Sequence, residues 1–306
     1  MITCYNMNMK NINNMKIGIS TTDFAQTPAD RLFGEIRGLG FGVIQLGLAN
    51  LAESGFVPDG IYEIPESIGG PLIDAAKSAE RRGLKIAAVN GTFNMAYPER
   101  RARDEGVRRF GELAAAAAGE LGCGVITLCT GTRNTGRLWA YHPGNAEPSA
   151  WADMMDTMRR LAEIAEKRGA VLAIETEASN IIDTPEKARR ALDETGSERA
   201  GMIMDCANLF RRGEARRENV DGRIRRAFEL YGDRIVLAHG KDIRESDAGP
   251  EFCATGEGIV NYGLFLKLLG EYNYGGDMIL HGIHDAGKMK AALEFMRSLI
   301  APGGAD

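Results

Sequence analysis

Apolar residues fall along this chain in two alternating patterns. Short, mostly apolar runs occur at 16–20, 43–46, 85–89, 125–129, 171–175, 201–205, 235–239 and 278–281. Runs of this kind suit strands of a parallel sheet covered by helices on its outer face. Between them the apolar positions take helical spacing. Leu32, Phe33, Ile36 and Leu39 make one such face, and Met154, Met158, Leu161 and Ala165 another. Local punctuation agrees with the pattern. Thr27-Pro28 and Thr184-Pro185 read as an N-cap followed by the first helical residue, and Ser149 reads as a further N-cap. Gly40, Gly83, Gly169 and Gly196 read as stops. The remaining helices are expected over roughly 72–82, 99–121, 222–231, 262–272 and 288–299.

Eight strands in strict alternation with helices make the count and size of a single-domain (β/α)8 TIM barrel. The barrel is expected over residues 15–300. Residues 1–14, polar and rich in Asn and Met, are expected as a loosely ordered extension, and 301–306 as a tail. An open dinucleotide-binding sheet is the competitor, and its only candidate loop is Gly38–Gly42. That loop follows a helix and precedes a strand, which is the wrong order. One long stretch, 131–148, has no periodic pattern. It carries Trp139, Tyr141 and His142. Either it is an ordered lid, with Trp139 and His142 as substrate contacts, or it is a packed surface loop.

Composition narrows the class. An apolar content of 44% supports a full core. The net charge of −5 argues against general nucleic-acid binding. No apolar run has the length of a membrane span, and the first residues lack a signal peptide's apolar centre. The 5 cysteines form no C-x-x-C pair and are odd in number, which fits reduced thiols in a cytoplasm.

Candidate chemistry sits at the ends of the last four strand-like runs, at Glu175, Asp205, His239 and His281. In parallel α/β proteins chemistry gathers at the carboxyl ends of strands. Successive members are about one βα unit apart, so adjacent strands bring them round one point. Two carboxylates and two imidazoles suit one divalent ion, Mn2+, Zn2+, Co2+ or Fe2+, better than an all-oxygen Mg2+ site.

The segments I-E-T-E (174–177), M-D-C-A-N-L (204–209), A-H-G-K-D (238–242) and G-E-G-I-V-N-Y-G (256–263) resemble the xylose isomerase-like TIM barrel family. That family is the sugar phosphate isomerase/epimerase group, which also holds dehydratases and a DNA-repair endonuclease. The resemblance implies that Glu175, Asp205 and His239 bind a divalent metal. It also implies a fourth ligand, a glutamate ending the eighth strand, where this chain has His281. In the family's epimerases the two glutamates exchange the substrate proton, so this substitution puts a symmetric two-glutamate mechanism in question. His281 is left as a ligand or as an acid–base group, with His284 and Asp285 just beyond it.

Metal-assisted proton transfer beside a carbonyl, through an enediolate, is the chemistry expected of such a site. Glu175 is the expected base and Glu177 a substrate contact. Lys241 is expected to steady a developing oxyanion, with Asp242 orienting it. Asn208 is placed at a substrate hydroxyl or as a turn cap. Arg211 or Arg212 is the expected cradle for a substrate phosphate. The expected function is therefore an isomerase or epimerase of a small sugar, polyol or sugar phosphate. The alternatives are a metal-dependent dehydratase of a keto-polyol and a non-catalytic sugar- or metal-binding barrel. A homo-oligomer, dimer or tetramer, is implied by the resemblance.

Overall fold

The computed structural model describes residues 12–211, 213–247 and 249–301. Eight parallel strands close into one barrel in the order β1-β10-β7-β6-β5-β4-β3-β2. They are β1 (Ile17–Ser20), β2 (Val43–Leu46), β3 (Lys85–Asn90), β4 (Val125–Cys129), β5 (Val171–Glu175), β6 (Ala200–Asp205), β7 (Ile235–Gly240) and β10 (Met278–Leu280). Between and after them lie α1 (Ala29–Gly38), α2 (Gly69–Arg82), α3 (Arg100–Glu120), α4 (Pro148–Arg168), α5 (Pro185–Thr195), α6 (Arg217–Tyr231), α7 (Tyr262–Glu271) and α8 (Ala286–Ile300). The (β/α)8 barrel read from the pattern is the observed fold.

The pleat of the strands divides the interior into layers. A small apolar cluster, separate from the main core, holds Val43, Ala88, Ala173, Ile203, Leu237 and Ile279, one residue from each of six strands. Side chains alternate between faces along a strand, so the residue two positions on points the same way. Two positions on are Gln45, Asn90, Glu175, Asp205, His239 and His281. The barrel is thus plugged by an apolar layer, and the next layer towards the carboxyl ends is polar. Register fixes this second layer sideways, with Cys129 level with Glu175 and Asp205 level with His239.

Several local expectations needed correction. Thr27 does not cap α1: its hydroxyl donates to the Ala25 carbonyl, and the Ala29 N–H donates instead to the Glu53 carboxylate at 3.0 Å. A residue distant in sequence does the work of the cap. Ser149 does not cap α4 either, since that helix already starts at Pro148 and makes no side-chain cap bond. Thr184 does cap α5, accepting from the Lys187 N–H at 3.2 Å. α6 begins at Arg217, a turn earlier than the glycine at 222 suggested. The Gly/Pro/Asp-rich stretch after β7 contains an antiparallel hairpin, β8 (Asp242–Arg244) with β9 (Glu251–Cys253). Ile12 is buried in the main core, so packing reaches back beyond the expected start of the barrel. Residues 1–11 and 302–306, the rest of the proposed extension and tail, lie outside the described residues. Among the described residues no helix is long and apolar enough to cross a membrane.

Candidate active site

The last four barrel strands deliver Glu175, Asp205, His239 and His281 to one point, with one donor atom of each within 4.8 Å of all the others. Asp205 and His239 are 0% and 3% exposed, and Glu175 is 8% exposed. Two carboxylates held this far from water require a compensating positive charge. Within the protein that charge comes from imidazoles and a lysine. His239 Nδ1 lies 3.0 Å from Glu175 Oε1, and His281 Nε2 lies 3.3 Å from Asp205 Oδ2. Oxygen and nitrogen donors so arranged fit a divalent cation.

Local structure orients each donor. Asp205 Oδ1 accepts the backbone N–H of Ala207 at 2.9 Å and of Asn208 at 3.3 Å, which leaves Oδ2 facing the cluster. Asn208 donates its amide to Glu175 Oε1 at 3.0 Å and accepts from Lys241 Nζ at 2.9 Å. Both ends of the Asn208 side chain thus hold other side chains. Burial by itself would raise the Glu175 carboxyl, but the His239 charge and hydrogen bond, then His281 and Lys241, hold it below the usual range. For His281, burial opposes the charged form, yet the Asp205 hydrogen bond and the carboxylate charges raise its pKa. Asp23 pins the backbone beyond β10, accepting from Gly282 N and Ile283 N at 3.0 and 3.1 Å.

A cavity of about 450 Å3 opens beside the donors, lined by Gln45, Glu63, Asn90, Trp139, Glu175, His239 and His281 among others. Its size suits a small organic ligand. Trp139 is therefore where a lid residue would be. The stretch that carries it is ordered by asparagine side chains: Asn94 Oδ1 accepts from Thr132 N at 3.0 Å and Asn145 Oδ1 from Arg133 N at 2.8 Å. Gly131, at φ 78°, permits the sharp exit from β4, since a Cβ there would meet Asn94 Oδ1 at 2.2 Å.

Other candidates stand apart. His142 accepts from the Gly144 N–H at 3.1 Å and lines a separate surface depression. Arg211 pairs with Asp183 at 3.0 Å and does not line the cavity, and Arg212 lies outside the described residues. Arg216 pairs with Asp247, and Arg217 begins α6. Glu177 bonds the Ser179 N–H at 3.2 Å, and burial raises its carboxyl. Lys241 reaches the cluster only through Asn208, and its ammonium lies 3.6 Å from the centre of the Phe252 ring, on the hairpin. Asp242 does not orient that lysine. Its carboxylate accepts from the N–H groups of Ile243, Gly256, Gly258 and Val260 and so closes the hairpin loop. His284 lines the cavity with Nδ1 3.1 Å from the Asp23 carbonyl, while Asp285 caps α8.

The model of the xylose isomerase-like TIM barrel family matches residues 33–299. The chain belongs to the xylose isomerase-like TIM barrel family. No curated protein matches the chain by sequence. Among solved structures it is similar to the 3-keto-D-glucoside 4-epimerase YcjR of E. coli, with TM-score 0.69 and 17% identity over 93% of this chain and 100% of that one. It is similar to D-psicose 3-epimerase of Clostridium cellulolyticum H10, crystallised with D-tagatose, at TM-score 0.67 and 15% identity over 94% and 99%. A xylose isomerase-like barrel of Mycobacterium smegmatis in complex with magnesium matches at TM-score 0.70 and 15% identity over 96% and 99%.

Within this family the chain carries features that the pattern of strand ends did not reveal. Gln45 Oε1 accepts from His239 Nε2 at 2.9 Å, and Glu63 accepts the Trp139 indole N–H at 2.9 Å. Gln45 was legible as the one polar residue in an apolar strand. Glu63 follows Asn50–Tyr62, a stretch without periodicity, and nothing in its local sequence marks it.

Proposed function

We propose that the chain is a divalent-metal-dependent isomerase or epimerase of a small sugar or polyol. The observation that carries this reading is the set of four donors converging within 4.8 Å at the end of the barrel where a cavity opens. Glu175, Asp205, His239 and His281 would hold the cation. When bound, it supplies a Lewis acid that draws charge from a substrate carbonyl and neighbouring hydroxyl, easing loss of the α-proton as an enediolate. Mn2+, Zn2+, Co2+ and Fe2+ suit the donors, and Mg2+ joins the ions to test because the Mycobacterium smegmatis barrel holds it.

Glu175 is the base. Its carboxyl is kept ionised by its cationic neighbours and kept in place by the Asn208 amide. Lys241 acts through Asn208 as a positioning residue. His281, three strands round the barrel from Glu175 and beside Asp205, returns or removes the second proton in this reading. The four described cysteines, Cys123, Cys129, Cys206 and Cys253, are free and buried, which supports the reducing cytoplasm expected; Cys4 lies outside the described residues. A homo-oligomer belongs to the same reading and is checked by light scattering.

His281 in place of a second glutamate favours one further reading, dehydration of a keto-polyol by the same proton abstraction. Product NMR in D2O distinguishes the two. Isomerisation or epimerisation introduces deuterium with the carbon skeleton keeping every hydroxyl, whereas elimination loses one. Loss of neither proton nor hydroxyl from any small sugar or polyol, with the metal bound, would reject both.

A further inference from the structure

The cavity beside the proposed metal donors is lined mainly by polar side chains. Among the described residues that line it, three are carboxylates, Asp23, Glu63 and Glu175, and none is lysine or arginine. Lys241 is turned onto Asn208 and Phe252, and Arg211 onto Asp183. Glu175 belongs to the metal donors, and both Asp23 oxygens accept backbone N–H groups. Glu63 is different. It stands across the second polar layer, where one oxygen accepts from Trp139 Nε1 at 2.9 Å and the other from Asn90 Nδ2 at 3.3 Å. A carboxylate offers about four lone-pair sites, so two acceptor positions remain for a ligand.

The segment carrying Glu63 is braced. Arg109 donates to the Ile64 carbonyl at 2.9 Å and its guanidinium lies 4.1 Å from the centre of the Tyr62 ring. Trp139, 49% exposed, presents an indole face beside the acceptors. An aromatic face next to charged acceptors matches a molecule with C–H faces and hydroxyl donors. The same carboxylates oppose a phosphate, which brings only acceptors and negative charge, with no lysine or arginine among the described lining residues to receive it.

We infer that Glu63, held by Asn90 and Trp139, is the specificity-determining residue of this cavity, and that the substrate is an uncharged polyhydroxylated molecule without a phosphate group. This rests on the sugar isomerase reading but is read by binding, not by turnover.

The test is calorimetric titration of Mn2+-loaded protein with the neutral ketohexoses D-fructose, D-tagatose and D-sorbose and with their 1- and 6-phosphates. At least one neutral sugar is expected to bind tighter than its phosphates. Glu63→Gln is expected to weaken that sugar by roughly ten- to hundred-fold, the loss of hydrogen bonds to a charged acceptor. Trp139→Ala should weaken it too, while Mn2+ affinity and melting temperature stay at parental values in both variants. Tighter binding of a phosphate, no binding of any sugar, or unchanged sugar affinity in Glu63→Gln overturns the inference. Selective binding of a neutral sugar that is never turned over leaves this inference standing and removes the catalytic reading instead.

Discussion

Gln45 Oε1 lies 2.9 Å from His239 Nε2, across the barrel mouth from the other donors. An imidazole serves a metal through one nitrogen, and the partner of the other nitrogen decides which. With a cation bound, the Gln45 carbonyl would hold the proton on Nε2 and leave Nδ1, on the Glu175 side, for the metal. Gln45→Leu removes that partner and is expected to weaken metal binding roughly 10- to 100-fold, the usual effect of losing such a contact. Titration with Mn2+ or Zn2+ measures it, and an unchanged affinity would show that His239 is oriented by packing alone.

His281 is the point at which this chain departs from the family's expected ligands. Protein purified without chelator should carry near-stoichiometric metal, and His281→Ala should lose most of it. Metal retained in the variant would free His281 for acid–base work only. His281→Glu, which restores a carboxylate, is expected to keep the metal and to raise deuterium exchange at the substrate α-carbon relative to His281→Ala.

Lys241 lies one side chain away from the expected base. Lys241→Met preserves the stem against Phe252 but removes the donor to Asn208 Oδ1. Turnover is expected to fall at least about ten-fold, since one charged hydrogen bond is lost behind the base. Metal affinity and KM should change little. A fall in metal affinity as large as the fall in kcat would mean that Lys241 supports the donor set rather than the base.

Acid stability has a specific contributor outside the site. Glu105 accepts from Arg108 at 2.7 Å and from Arg109 at 2.8 Å, and these arginines, Arg108 first, lower its carboxyl to about 2. Because the folded value lies below the unfolded one, the contribution is present above the ordinary carboxylate range and is lost as pH falls towards about 2. Partial exposure keeps it near 1 kcal/mol. Urea unfolding of the parent and Glu105→Gln should therefore differ at pH 6 and converge at about pH 2 to 3. A difference independent of pH would assign the effect to packing of Arg109.

What could be read from the chain alone was whatever depends on neighbours in sequence. Apolar runs ending in Glu175, Asp205, His239 and His281 specify both the barrel and the cluster that could hold a metal, because a parallel barrel brings successive strand ends together whatever the connecting loops do. Helix stops at Gly83, Gly169 and Gly196 are equally local, as each sits in the left-handed conformation that ends its helix.

Contacts between distant segments were not legible. Glu53 caps α1 from the following loop, Glu63 meets Trp139 across the cavity, and Asp242 closes a hairpin loop that polar composition disguised. Nor could spacing show that Arg211 is neutralised by Asp183 or that His142 turns away into its own loop. Even Gln45 and Asn90 gain meaning only when the barrel closes, since being two residues past an apolar interior position matters once all eight strands share one interior. Sequence determined the fold and the donors through short-range periodicity. The tertiary structure alone decided which polar groups face the cavity, because that depends on loops whose approach no periodicity encodes.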